Sequence, residues 1–400
     1  MARIVFRGGR IFDGSGADPT DGDLAIEDGR IVDVGSGLDG DEAVDVAGAT
    51  LLPGLFDCHS HVMFSHVDVW RYIQQPFSYA FYEAARNLGA TLRIGITTIR
   101  DAGGADLGLK QAVEDGLVAG PRMQISLTMI SQTGGHGDEW MPSGSVVPFF
   151  STHPGVPDSI VDSPDAMRHK VRELIRMGAD VIKVATSGGV LSPRDDPRHP
   201  HLSPAELEVL VAEASAAGRF VMAHAQSAEG IKNAVRAGIR SIEHGIFLDD
   251  EAIELMLERG TWFVPTLIAA EGVIEAAEAG AGIPDASLRK AREVVEIHRE
   301  SFRRAVAAGV KIAFGTDSGV TTHGENLREL GLMVVGGMTP SAALGAATRV
   351  AAELCGLEAE LGTLEPGKRA DVVVVDGDPY DVTTLKDRIR EVWKDGARVA

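Results

Sequence analysis

The 400-residue sequence predicts an α/β protein: a (β/α)8 TIM-like barrel carrying a small β-sandwich domain formed by both chain termini. Three observations predict it. Eight short β-rich runs alternate with helical stretches through the middle of the chain. Further β-rich runs, separated by Asp-Gly and Gly-Ser turns, mark the two ends. Nearly every middle run closes on a polar, acidic or metal-capable residue, the pattern expected where barrel strands point their carboxyl ends into one mouth.

At the amino end, residues 3–6, 24–27 and 30–34 are short β runs, and Asp28-Gly29 between two of them signals a hairpin. The barrel opens with Leu55-Phe56-Asp57-Cys58-His59. Its later strands are expected at 95–101, 122–130, 180–184, 220–224, 241–244, 262–266 and 312–317. Helices lie between most of them. Ser163-Pro164-Asp165 supplies an N-cap, a proline at the first helical position and an early acid, and Gly178 closes that helix. Ser203-Pro204-Ala205-Glu206 repeats the device, with Gly218 as the stop. After residue 365 the β pattern returns in Ala370–Asp376 and Glu391–Lys394. Neither end holds enough strand to bury a core alone. Residues 1–54 and 356–400 are therefore expected to form one composite β-sandwich domain, with the barrel at 55–355.

Composition narrows the function classes. Lys and Arg number 38 against 58 Asp and Glu, a net charge of −20 that repels nucleic acid and anionic membrane surfaces. Cys58 and Cys355 are the only cysteines, too few for a disulfide framework or a cysteine-rich zinc site. No signal-peptide h-region and no 18-residue apolar window is found, so a cytoplasmic location is expected. The expected partner is a small-molecule substrate, and a homo-oligomer is the expected state.

The strand-end residues carry the chemistry. They are His59-Ser60-His61, Arg100-Asp101, Lys183, His224, His244 and Asp317. His59 and His61 are two apart, on one face of an extended segment, and can grip one ion. Lys183 is no metal ligand as an ammonium. Buried beside cations, its amine would lose a proton and could add carbon dioxide, giving an anionic two-oxygen bridge. A lysine paired with strand-end aspartates fits the spacing too.

These motifs resemble the amidohydrolase superfamily in its binuclear-metal branch, and within it the Xaa-Pro dipeptidase and imidazolonepropionase-like group. The resemblance rests on Pro53-Gly54-Leu55-Phe56-Asp57-Cys58-His59-Ser60-His61, Ile182-Lys183-Val184, Ala223-His224-Ala225, Ile242-Glu243-His244-Gly245 and Gly315-Thr316-Asp317-Ser318. It implies two divalent ions. His59, His61 and Asp317 would ligate the buried one, His224 and His244 the exposed one, and N6-carboxylated Lys183 would bridge them. Zinc suits that donor set best. The implied reaction is amide hydrolysis by a metal-bridging hydroxide, with Asp317 as general base and then acid. The expected substrate is a dipeptide or N-acyl amino acid with an apolar side chain. A cyclic amide, carbamate, lactone or phosphoester is the alternative, because the same centre serves them all.

Around these motifs lie further candidates. Phe64, Trp70, Tyr72, Phe77, Tyr79, Phe81 and Tyr82 follow the first strand closely. They fit an aromatic wall for substrate, with Trp70 and Tyr72 as contacts, or a helix packed on the barrel. After the third strand, glycines flank His136, which the resemblance supports as a catalytic, substrate-contacting residue. Trp140, Met141, Phe149 and Phe150 could extend the wall. Arg194 or Arg198 could hold a substrate carboxylate, although a solvated loop fits that stretch as well. The dipeptidase-like relatives carry a substrate-contacting Tyr two residues past the fifth-strand His; here the position is Gln226, so a substrate contact is expected there with altered preference. His66 and His323 are expected to support the site or the fold, and Cys58 to pack outside the barrel.

Overall fold

The strand Val372–Asp376 shows how the two ends of the chain meet. Its alternate side chains Val372 and Val374 enter one apolar core, and Val373 and Val375 enter another. It pairs antiparallel with Ala49–Pro53, placing Val374 opposite Leu51 and Val373 opposite Leu52, which divide between the same two cores. In this computed structural model, which describes residues 2–147 and 152–400, the pair joins an eight-stranded mixed sheet from both termini. Its order is Ala397–Arg398, Ile389–Lys394, Val372–Asp376, Ala49–Pro53, Ile4–Ile11, Thr20–Glu27 and Arg30–Gly35, with Glu42–Asp45 also paired to Ile4–Ile11. Asp28 and Gly29 both take positive φ, forming the expected hairpin turn. The smaller core includes Phe6, Leu24, Ile31 and Leu51, with Phe6 edge-on to Trp393 at 5.1 Å.

The middle of the chain forms a distorted (β/α)8-type parallel core. Leu55–Ser60, Ile96–Asp101 and Arg122–Ile125 make one parallel sheet. Met129–Ile130, Val181–Ala185, Phe220–Ala225, Ser241–His244 and Trp262–Val264 make another. The run expected as a single strand over 122–130 is thus two. Leu127 turns the chain between them with a φ of +68°, so each part pairs on its own side.

The run 312–317 is not a regular strand, yet it closes the ring. Ala313 N–H donates to Phe263 O (2.9 Å), Cys58 N–H to Phe314 O (2.9 Å), and Asp317 N–H to His59 O (2.7 Å). Buried Asp57 reinforces this seam, accepting from Thr316 Oγ1 (2.5 Å) and Asn326 Nδ2 (2.8 Å).

Caps set the helix starts. Ser163 accepts from Ala166 N–H ahead of Pro164–Arg176, and Ser203 with Glu206 forms a reciprocal capping box ahead of Pro204–Ala216. Among the described residues no helix is long and apolar enough to cross a membrane.

Candidate metal centre

Strand alternation aims most of the candidate ligands. Ile182 and Val184 face the helix-side core, so Lys183 between them points into the barrel; Ala223 and Ala225 do the same for His224. Phe56 and Cys58 pack outward among helix residues, as expected for Cys58, leaving Asp57, His59 and His61 inward. On Ser241–His244 the inward position belongs to Glu243. His244 would then face outward, but its φ of +70° turns the ring into the mouth. Asp317 adopts the left-handed region too, at +58°. Such backbone costs about 1–3 kcal/mol per residue and concentrates at functional sites.

The six expected ligands come together at the barrel mouth. His59, His244 and Asp317 bring donor atoms within 4.8 Å of one another, a set able to hold a divalent ion. His61 Nε2 lies 3.2 Å from Asp317 Oδ1, and Lys183 Nζ lies 3.2 Å from His59 Nε2. The rings of His224 and His244 are 4.7 Å apart between centroids.

The donors fit a metal because of how each ring is held. His59 Nδ1 is 2.8 Å from Glu243 Oε2, His61 Nδ1 3.0 Å from Gly103 O, and His244 Nδ1 2.7 Å from Thr266 Oγ1. In each case the protein engages Nδ1, directing Nε2 to the site. His224 is held the other way, with Nε2 3.1 Å from Gly188 O, which directs its Nδ1. One engaged nitrogen per ligating ring is the usual arrangement in metal sites. Burial, reinforced by neighbouring cationic groups, pushes the His59, His224 and His244 imidazoles well below their usual range, so they stay neutral, the form that ligates. Burial also lowers the Lys183 ammonium to about 8, against the opposing pull of Glu243 and Asp317.

Arg100 and Asp101 leave the strand-end constellation. Arg100 Nη2 donates to Glu243 Oε1 (2.9 Å) and its Nε to Cys58 O (2.6 Å), so it neutralises the carboxylate that holds His59. Asp101 accepts the backbone N–H groups of Val62, Gly103 and Ala105, fixing the turn after His61. Glu243 was hidden in the sequence because only its inward position beside His59 reveals its role.

The cavity above the donors measures about 270 Å³, and Phe64, Val190, Ile246, Val273 and Val320 supply much of its apolar wall. His136 and Gln226 line it as well. The His136 ring stacks on His224 at 4.1 Å and 18°.

Of the aromatic stretch, read as a wall or as a packed helix, Phe64 lines the cavity and the other six residues are not among its lining. Pro76 separates the stretch into the helices Val69–Gln74 and Tyr79–Arg93. Trp70 is 67% exposed and, with Tyr72 and Phe77, lines an outer groove whose described lining includes none of the candidate ligands. The Tyr72 hydroxyl instead accepts the N–H of Ser65 (3.1 Å). Trp140 and Arg194 stack on each other at 5.2 Å in a side pocket that touches the cavity at His136. Phe149 and Phe150 lie outside the described residues. Arg194 and Arg198 are exposed, as a solvated loop would have them, but the Asp195 side chain between them is buried. His323 Nε2 donates to Phe64 O (2.9 Å) and supports the turn after His61, and His66 packs on Tyr72 at 4.2 Å.

A barrel with imidazole and carboxylate donors at its mouth defines a metal-dependent hydrolase, and the comparisons with known proteins name its class. The model of the amidohydrolase family matches residues 50–399; the chain belongs to that family, in its binuclear-metal branch, as a metal-dependent C–N hydrolase of the dipeptidase type. Ochratoxinase from Aspergillus niger is 37% identical over 365 residues, covering 86% of this chain and 75% of that protein. A Xaa-Pro dipeptidase with methionine bound in its active site matches with a TM-score of 0.90 and 34% identity over 99% of both chains. A prolidase complexed with N-methylphosphonate-L-proline matches with a TM-score of 0.91 and 36% identity, again over 99% of both.

Proposed function

We propose that this protein hydrolyses the amide bond of a dipeptide or N-acyl amino acid whose side chain beside the scissile bond is apolar. One observation carries the reading: four imidazoles, Lys183 and Asp317 converge on a cavity of about 270 Å³ with much of its wall aliphatic. The methionine and proline-analogue complexes of similar proteins support the same class of substrate.

His59, His61 and Asp317 would hold one divalent ion, His224 and His244 a second, and N6-carboxylated Lys183 would bridge them. Bound there, the ions (zinc suiting the donors best) supply an activated water and a Lewis acid for the carbonyl. Asp317 accepts the proton of the attacking water and returns it to the leaving amine. Its carboxylate is ionised: burial alone would raise it, but the neighbouring His59, His61 and Lys183 side chains hold it well below the usual carboxylate range. His136, stacked on His224, faces the substrate carbonyl or carboxylate. Gln226 contributes a neutral amide to the same wall, and the side pocket of Trp140 and Arg194 takes the far end of a longer substrate. We further assign residues 1–54 and 356–400 to a composite domain that braces the barrel of residues 55–355.

The test is a screen of metal-loaded protein over dipeptides, N-acyl amino acids, lactones and carbamates. Apolar dipeptides or N-acyl amino acids should give the highest kcat/KM. Faster turnover of lactones or carbamates would replace the proposal with the alternative chemistry.

A further inference from the structure

The loop 187–196 is built around the His136 ring. An atom at the Cβ position of Gly189 would sit 2.1 Å from His136 Cε1, so only glycine lets the loop lie against the imidazole. His136 Nδ1 is 3.2 Å from Asp195 Oδ2 and 2.8 Å from Ser192 Oγ. The same Asp195 oxygen accepts the N–H of Gly189 at 3.0 Å, and its other oxygen accepts from the Ser192 hydroxyl.

What pins this loop comes from far along the chain. The helix Asp285–Ala308 presents Ser287 and Lys290, three apart and on one face, to the loop. Ser287 Oγ donates to Leu191 O (2.8 Å). The Lys290 ammonium, with the residue only 7% exposed, reaches Gly189 O (2.6 Å), Ser192 O (2.5 Å), Asp195 O (3.0 Å) and Asp195 Oδ1 (3.2 Å). The loop wraps a single buried cation, and the Asp195 carboxylate is shared between that cation and the imidazole.

We propose that Lys290 is a positioning residue for hydrolysis, acting through Asp195 to hold His136 as its Nδ1–H tautomer with Nε2 presented to the substrate. The physical reason is specific. A buried ammonium must be surrounded by acceptors, and here satisfying it fixes Asp195. A fixed carboxylate at Nδ1 then sets which nitrogen carries the proton. The inference rests on His136 contacting substrate, as proposed above, and it adds the residue that sets the ring.

A double-mutant cycle on the metal-loaded enzyme separates positioning from mere support of the fold. Lys290→Met should lower kcat/KM about 10- to 100-fold, the range for groups that orient site residues, with metal content unchanged. In a His136→Ala background the same substitution should cost less than about twofold, because its effect passes through the missing ring. An equal penalty in both backgrounds would overturn the inference while leaving the function of His136 intact. If His136→Ala itself leaves kcat/KM unchanged, the role of His136 falls and the inference with it. If Lys290→Met does not fold, Asp195→Asn enters the same cycle with the same expected outcomes. A second readout needs no activity. The ¹⁵N shifts of the His136 ring, assigned by comparison with His136→Gln, should show protonated Nδ1 in the wild type and a tautomer mixture in Lys290→Met. A mixture already present in the wild type overturns the inference.

Discussion

The metal cavity and the outer aromatic groove lie side by side at the barrel mouth, and they are held by opposite means. In the cavity each of the four candidate ligand imidazoles is gripped at one nitrogen by Glu243, Gly103, Thr266 or Gly188, and Glu243 is itself gripped by Arg100. Buried polar groups without partners cost about 1–3 kcal/mol each, so these side chains have little alternative to their present geometry. In the groove Trp70 and Phe77 are exposed. Phe77 leans edge-on against Phe81 at 5.6 Å and His153 at 5.2 Å, contacts that tolerate other arrangements. The lesson concerns precision: satisfying buried polar atoms fixes a site, whereas stacking exposed rings only fills one.

The largest effect tests the cavity at its centre. Lys183→Ala should lower kcat/KM by at least about 10³-fold, equivalent to about 4 kcal/mol, with partial rescue by short carboxylic acids. Metal analysis of protein produced with metal and bicarbonate should give close to two divalent ions per chain. A reproducible stoichiometry of one, or an active Lys183→Ala variant, would remove the bridge.

The support behind the cavity gives a pH signature. Glu329 accepts the N–H groups of Leu267 and Ile268, at 2.8 Å each, just after the Thr266 that holds His244. Burial raises its carboxyl to about 8. The folded chain therefore binds a proton that the unfolded chain has released above about pH 4.5. This contribution to stability is full below that point and is lost as pH rises through about 8, at no more than about 1.4 kcal/mol per unit. The wild-type Tm should fall relative to that of Glu329→Gln as pH is raised over this window. Parallel Tm curves would show that Glu329 is already ionised in the folded protein.

Glu243→Gln tests the grip on His59. It keeps the shape but removes the charge paired with Arg100, and should weaken metal affinity or activity about 10- to 100-fold. A chelator titration compares the two proteins directly. Unchanged affinity would mean that the seam around Asp57 orients His59 without Glu243.

The smallest effects separate the two regions. Substrates with an apolar residue beside the amide should outrun acidic ones by about tenfold in kcat/KM, or about 1.4 kcal/mol. Ile246→Ala should erode that preference, because Ile246 lines the cavity. Trp70→Ala should leave it within about twofold, because Trp70 lines only the outer groove. A loss of preference in Trp70→Ala would extend the substrate site into the groove.

Much of this was legible along the chain. The spacing of β-rich runs implied the barrel, Asp28-Gly29 a hairpin, and the Ser-Pro pairs the starts of two helices, because period and capping are local properties. The His59–His61 pair, Lys183, His224, His244 and Asp317 stood at strand ends that any parallel barrel gathers into one mouth. Other features needed the folded molecule. Residues 122–130 read as one strand until Leu127 took a positive φ, and 312–317 read as a strand although only scattered bonds tie it to both neighbours. The aromatic cluster from residue 64 fitted either a wall or a packed helix, and Pro76 and exposure place most of it outside the cavity. Glu243 stood inside a motif of the resemblance with no role assigned to it, and Asp195 and Lys290 carried no signal at all. A strand position announces its direction through alternation with its own neighbours, so sequence could aim Lys183 inward. Whether a buried charge has a partner depends on residues far along the chain, 184 positions away for His59 and Glu243, and only the closed barrel brings them within 2.8 Å.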